Sequence, residues 1–467
     1  MKDMLSPSDL AEVAVAHALS RADGSQLFVI IEHDSRADLR WARSTLTTNG
    51  VRSSVAATVI GFVPVARGIG TATLSASGPD AAVLKGLVDA VLAAAKDAPA
   101  ADDAADLIRD VSSGEWGAAP LMIDVSTLNG LTTALGSVFR AGAADGIEHF
   151  GYAEHGIETT WMASTTGVRR VHSQPSGRIE MTAKSHARSR SAWQGVATED
   201  LTRADIGDMD LRLRQGLTWQ ETKLDIAAGR HTAILTPGAV ADLMCEFWWT
   251  ATARDAAEGR SVFSGTQGAT RLGEKLTPRN LTISSDPRDT AFTSMDFVAA
   301  TSSNSHTSVF DNGLNVNPHS WLKDGTLTQL AAPRATAADL SVPAAATADC
   351  LRIADTDGHG SLEELIARTQ DGLLVTCLWY NRVVDPQSLL LTGLTRDGVY
   401  VVRAGEIVGC ASNFRFNDSP VGLLPRISDA SVTERTLPRE MGDYVHRVAA
   451  PALAVEGFNF STVSDAL

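Results

Sequence analysis

Four short stretches have residue types and spacings that could do chemistry. Asp355-Thr-Asp357-Gly-His359-Gly-Ser361 begins like a calcium loop, with acids at positions one and three and Gly360 at the turn. The twelfth position, where a bidentate glutamate should close the coordination, is Ile366. The stretch is therefore read as an Asx-rich turn capping a helix over Leu362–Arg368. His149 and His155 stand beside Glu148 and Glu154 in IEHFGYAEHG. Two zinc ligands on one helix need same-face spacing, and the aromatic residues and Gly151 favour strand and turn instead, so surface histidines are expected. Cys410, in IVGCASNFRF, follows a turn and is a candidate nucleophile, yet no histidine pairs with it by any sequence rule; a buried, small apolar role is expected. Gly68-Ile-Gly70 lacks the third glycine and the following helix of a dinucleotide fingerprint, and the chain has no G-x-S-x-G, P-loop or H-E-x-x-H.

The balance of 40 Lys plus Arg against 55 Asp plus Glu in 467 residues gives a net charge of −15, which repels phosphate backbones and argues against nucleic acid. The one basic cluster, Lys184, His186, Arg188 and Arg190, alternates with small residues as the polar face of a strand would. Cys245, Cys350, Cys377 and Cys410 form no C-x-x-C pair and are expected to be reduced, structural thiols. Met1 to Val15 carries Lys2, Asp3, Asp9 and Glu12 without an apolar core, so no secretory leader is expected. No stretch reaches ~18 uninterrupted apolar residues, so no membrane span is expected and the location predicted is cytoplasmic.

The length suggests two large domains, with a boundary near residues 215–230: an α+β unit over 1–220 and a mostly β unit over 221–467. In the first, a helix over Ser6–Ala22 is predicted to follow Ser8 as N-cap, and Pro79–Lys96 carries Leu84, Leu87, Val88, Val91 and Leu92 on one stripe. Strands at 26–32, 51–65 and 70–77 form a small antiparallel sheet. A helix over Ser126–Ala141 precedes four short strands at 147–153, 157–164, 168–172 and 178–185. In the second unit, a strand at Ala233–Leu235 leads into a helix running from Pro237 through Phe247. Strands follow at 281–284, 294–298, 373–380, 398–403 and 406–416, and the alanine-rich Ala331–Ala348 is taken as a surface excursion.

TPGAVADLMCEF, GRSVFSG and GEKLTPRNLTISSDP, spread over residues 236–287, resemble the middle of the TldD/PmbA metallopeptidase family. So do GSLEELIARTQDGLLVTCLWYNRVVDP, GVYVVRAGEIVG, SPVGLLPRI and AAPALAVEGFNFSTV further on. In the family's catalytic type a helix before the SVFSG-like turn carries H-E-x-x-x-H, and a C-terminal cysteine completes the zinc site. Counting back from Ser261, the histidine positions fall on Met244 and Trp249 and the glutamate position on Cys245; shifted by one, they fall on Cys245, Glu246 and Thr250. No cysteine lies between Ser428 and Leu467, where His446 is the only alternative ligand, and Cys410 lies too far upstream. The resemblance therefore implies a TldE (PmbA)-like member with no catalytic residue, zinc or other cofactor of its own. Such a chain would be the non-catalytic subunit of a heterodimer whose TldD-type partner holds the zinc and cleaves peptides or unfolded polypeptides. The alternatives are a self-contained hydrolase with its active site relocated to Cys410 or the His149 and His155 region, and a stand-alone homodimeric peptide-binding scaffold. Phe247, Trp248 and Trp249 are read as core packing, with an interface anchor as the other possibility.

Overall fold

The protein, described here by a computed structural model over residues 5–464, is built from three sheets flanked by eight helices. Met1–Met4, the start of the segment judged not to be a leader, lies outside the described residues. Helix α1 (Pro7–Leu19) is capped by Ser6, whose Oγ accepts the Asp9 N–H at 3.1 Å, and not by Ser8. Pro7 has no N–H to lose and a φ suited to the first helical position, which sets the cap one residue before it. Strands β1 (Gln26–Ala42), β2 (Thr45–Val65) and β3 (Gly68–Ser77) lead to α2 (Ala81–Asp97), where Asp80 accepts the N–H groups of Ala82 and Val83. After β4 (Ser112–Ser113) come α3 (Asn129–Ala144), β5 (Glu148–Ser164), β6 (Arg169–Ser185), β7 (Arg190–Thr198) and α4 (Ile206–Trp219).

The four short strands expected over 147–185 are two long ones, and the sheet is larger than expected, in the order β3-β2-β1-β5-β6-β4 with β7 also on β6. Gly156 pairs with Arg36 on one side and Ser176 on the other, so neighbours carry the ladder through residues that look like breaks. The basic cluster is not one strand face. His186, Ala187 and Arg188 have φ of 52°, 53° and 70°, the left-handed turn joining β6 to β7. Alternation along β1 explains its place at the centre of the sheet. Leu27, Val29 and Ile31 pack under α1 and α2, whereas Phe28 and Ile30 meet Phe297, Val309 and Phe310 from the other half of the chain. Further along, Ala37, Leu39 and Trp41 pack with residues of α3 and α4. Each such large apolar side chain contributes roughly 1.5–3 kcal/mol.

The second half comprises β8 (Gly229–Leu235), α5 (Pro237–Thr250), α6 (Ala253–Ala257), β9 (Leu281–Ser285), β10 (His319–Lys323), β11 (Thr326–Leu327), α7 (Arg334–Leu340), β12 (Leu351–Asp355) and α8 (Leu362–Arg368). It continues with β13 (Asp371–Asp385), β14 (Leu390–Arg403), β15 (Glu406–Cys410), β16 (Asn413–Asp418), β17 (Ile427–Ala430), β18 (Glu434–Thr436), β19 (Val448–Ala450) and β20 (Leu453–Ser464). One sheet runs β11-β10-β9-β12-β19-β18. The other runs β13-β8-β20-β16-β14-β15 and closes on itself because β13 also pairs with β14. The α+β architecture with a mostly β second half is as expected. Two local expectations fail. Residues 294–298 form no strand: Phe297 makes an isolated bridge to Asn315 while its ring joins the core facing β1. The alanine-rich stretch is no excursion, since Ala331, Ala332, Ala337, Ala345 and Ala348 are buried. Their small side chains let backbone meet backbone, with Ala331 N–H donating to Ala251 O at 2.8 Å and Ala253 N–H to Ala331 O at 2.9 Å.

Candidate functional site

Helix α5 begins at Thr236, whose Oγ1 accepts the Ala239 N–H and donates to Thr376 O at 2.7 Å, with Pro237 at the first turn. The positions that the family resemblance aligns with zinc ligands sit in packed surroundings. Met244 and Cys245 are fully buried, and Glu246, Trp249 and Thr250 are partly buried, Trp249 against the same core. Phe247 and Trp248 are likewise core residues.

One turn earlier, the fully buried Asp242 accepts backbone N–H groups from Arg439 at 3.1 Å, Glu440 at 3.0 Å and Met441 at 3.0 Å. Its carboxyl oxygens accept, and the three main-chain donors that meet them are themselves satisfied. Burial nevertheless pushes its pKa up to about 8, with the three donors pulling the other way. Burial, helped by the negative charges of Asp242 and Glu246, also holds the Cys245 thiol well above its ordinary range. Glu440 accepts from Arg382 Nη1 and from the Tyr380 N–H, both at 3.0 Å, where Tyr380 has a φ of 56°. The stretch from 439 to 441 is thereby tied to α5 and β13. His446, the alternative ligand, is placed by its charged neighbours Arg178, Glu154 and Arg36 toward the first sheet; burial and Arg178 lower its pKa.

The histidines expected at the surface are buried. His149 is fully inaccessible, and its Nε2 lies 2.7 Å from Asp210 Oδ1 on α4; Arg214 Nε donates to the other carboxylate oxygen at 2.7 Å. Burial works against the charged form of Asp210, but His149 and Arg214 hold its pKa below the ordinary value. His155 is 8% exposed, and burial lowers its pKa. His149 ties β5 to α4, and neither histidine forms part of a metal-ligating group of three among the described residues. The Asx-turn reading of 355–361 agrees with the structure. Asp355 Oδ1 accepts the Asp357 N–H, Asp355 also pairs with Arg279, and Ser361 and Glu364 form a reciprocal capping box at the start of α8.

Cys410 is buried as expected, but it also lies in the wall of a crevice of about 440 Å³ shared with Arg190 and Lys223. Among the described residues no histidine lines this crevice. A second cleft, about 290 Å³, separates the first sheet from the 295–300 segment and brings Glu32 and Glu158 together. Burial raises both pKa values, aided by Glu158 at Glu32 and by Asp34 at Glu158. Such a pair can hold a cationic group. Sequence reasoning missed it because the β1–β5 register, with Asp34 opposite Glu158 and Glu32 opposite Thr160, joins residues far apart in the chain.

Residues 228–462 match the PmbA/TldA metallopeptidase C-terminal domain. No curated protein sequence matches the chain. Among solved structures, TldE from Thermococcus kodakarensis superposes with a TM-score of 0.76 at 14% identity, covering 95% of this chain and 98% of that one. A Thermotoga maritima protein described by a suggested link to DNA gyrase gives 0.73 at 14% identity, covering 97% of this chain and 99% of that one. One from Bacteroides thetaiotaomicron, described similarly, gives 0.73 at 13% identity with 97% and 98% covered. At such identities the likeness is one of fold alone. The sequence match, in contrast, spans half of the chain, and the protein belongs to the PmbA/TldD metallopeptidase family.

Proposed function

We propose that this chain is the non-catalytic, TldE-like subunit of a cytoplasmic TldD/TldE-type peptidase, pairing with a zinc-bearing chain and helping to enclose a peptide or unfolded polypeptide. The observation that carries the reading is the junction of α5 with residues 439–441. The helix offers no histidine at the aligned positions, its one thiol is buried and held protonated, and Asp242 is already committed to three backbone donors. That donor set does not fit a catalytic zinc, which needs three ligands and an open position for water. Attack on the peptide bond would then be the partner's work alone.

A place for substrate backbone is available in the groove of about 550 Å³ lined by Trp193, Gly195 and Val196 of β7, Glu434 and Thr436 of β18, and Pro237. Among the described residues β7 pairs only with β6 and β18 only with β19, so each leaves an edge to which an extended peptide could add by main-chain hydrogen bonds. The net charge of −15 speaks against nucleic acid, and no helix among the described residues is long and apolar enough to cross a membrane. Co-expression with a chain bearing H-E-x-x-x-H tests the reading. A stable complex that cleaves peptide, alongside an inert lone chain, is expected; cleavage by the lone chain would favour the self-contained hydrolase instead.

A further inference from the structure

We propose that the crevice between the 186–190 turn and the β14–β15 hairpin binds a small anion, a carboxylate or a phosphate group, through Arg190 and Lys223. Its volume, about 440 Å³, is within the range of small-ligand sites. Both cations line it, and neither side chain has an ion pair or hydrogen bond among the described residues. This is unusual in a chain of net charge −15 whose neighbouring arginines are matched: Arg188 bonds Glu148 through two nitrogens, and Arg439 and Arg396 lie 3.2 and 3.6 Å from Asp397. Asp397 is the carboxylate in the crevice wall. Those arginines and a 2.6 Å hydrogen bond from Ser191 Oγ already engage it, so it does not serve as counterion to Arg190 or Lys223.

The two cations converge. Both act electrostatically on the Cys410 thiol, drawing its pKa down against the burial that raises it. Their backbones are anchored on separate segments. Leu224 N–H donates to Cys410 O at 2.8 Å and Cys410 N–H to Thr222 O at 2.9 Å, holding Lys223 beside β15, while Arg190 pairs with Ser185 at the start of β7. Two like charges lining one crevice repel, and an anion between them relieves that repulsion. Arg190 supplies a planar fork suited to two oxygens, Lys223 a point charge, and Ser412 a hydroxyl in the same wall.

The test is isothermal titration at low salt with inorganic phosphate in one arm and acetyl-glycyl-glycine against its C-terminal amide in the other. The wild-type chain is expected to bind at least one of the two anions and not the amide. Binding of phosphate alone identifies a phosphate group as the ligand, and binding of the peptide acid identifies a peptide C-terminus. Arg190→Gln with Lys223→Gln should weaken binding at least about tenfold, and Arg190→Lys should weaken it less. Both positions lie clear of the packed cores, so the variants should fold. Independently of them, the bound anion should slow alkylation of Cys410 in the wild-type protein, where the other three cysteines are more deeply buried. No heat from either anion up to roughly 10 mM, unchanged binding by the double variant, or unprotected Cys410 at saturation would each overturn the proposal.

Discussion

Two regions treat their charged groups in opposite ways. At the junction of α5 with residues 439–441, Asp242 is buried and matched by three donors, and the helix around it is packed. In the cleft between the first sheet and the 295–300 segment, Glu32 and Glu158 make no hydrogen bond among the described residues; Glu158 bears on Glu32, and only the charges of Arg36 and Arg447 act on Glu158 against burial and Asp34. A buried carboxyl group that meets three backbone donors holds a fold together. A pair in a cleft without hydrogen bonds of its own adds little to stability and leaves room for a ligand. On the proposed reading, the helix that the resemblance aligns with the family's zinc helix serves in this chain as scaffold.

The sharpest way to break this contrast is Asp242→Ala, which strands three backbone N–H groups and is expected to lower unfolding stability by about 3–5 kcal/mol in urea. The pH dependence carries a sign as well. The unfolded chain releases the Asp242 proton near 3.8 and the folded chain near 8, so folding retains a proton between those values. Stability therefore falls as pH rises through that window, and Asp242→Asn should flatten the decline. Next in size, His149→Ala removes one partner of a buried pair and is expected to cost about 2–4 kcal/mol by the same measurement. Ser361→Ala, which opens the capping box of α8, should cost about 1 kcal/mol. Smallest and opposite in sign, Glu32→Gln should stabilise by under about 1 kcal/mol at pH 7, since it removes a partly buried charge and its repulsion by Glu158 and breaks no bond. A large loss on Glu32→Gln, or none on Asp242→Ala, would erase the distinction between the two regions.

Much of this was legible from local signals. The Pro237 start of α5, the stripe of α2 and the Ser361 start of α8 carry their own caps and periodicity, and each helix lies within a few residues of its expected place. What failed depended on partners distant in sequence. His149 looked exposed beside Glu148 because Asp210, its partner, lies 61 positions away on a helix that gave no clear periodic signal. The long strands looked broken at Gly156 and Gly177 because the neighbours that carry the ladder are elsewhere in the chain. Asp242 drew no notice at all, although it sits in the helix that carries the family resemblance; its three donors lie almost 200 residues on.

Zinc content of the chain purified alone, measured by elemental analysis beside the complex co-purified with a partner bearing H-E-x-x-x-H, tests the central claim most directly. The account predicts zinc in the complex and none retained by the lone chain; stoichiometric zinc in the lone chain would contradict it and return Cys245, Glu246, Cys410 and His446 to consideration as ligands.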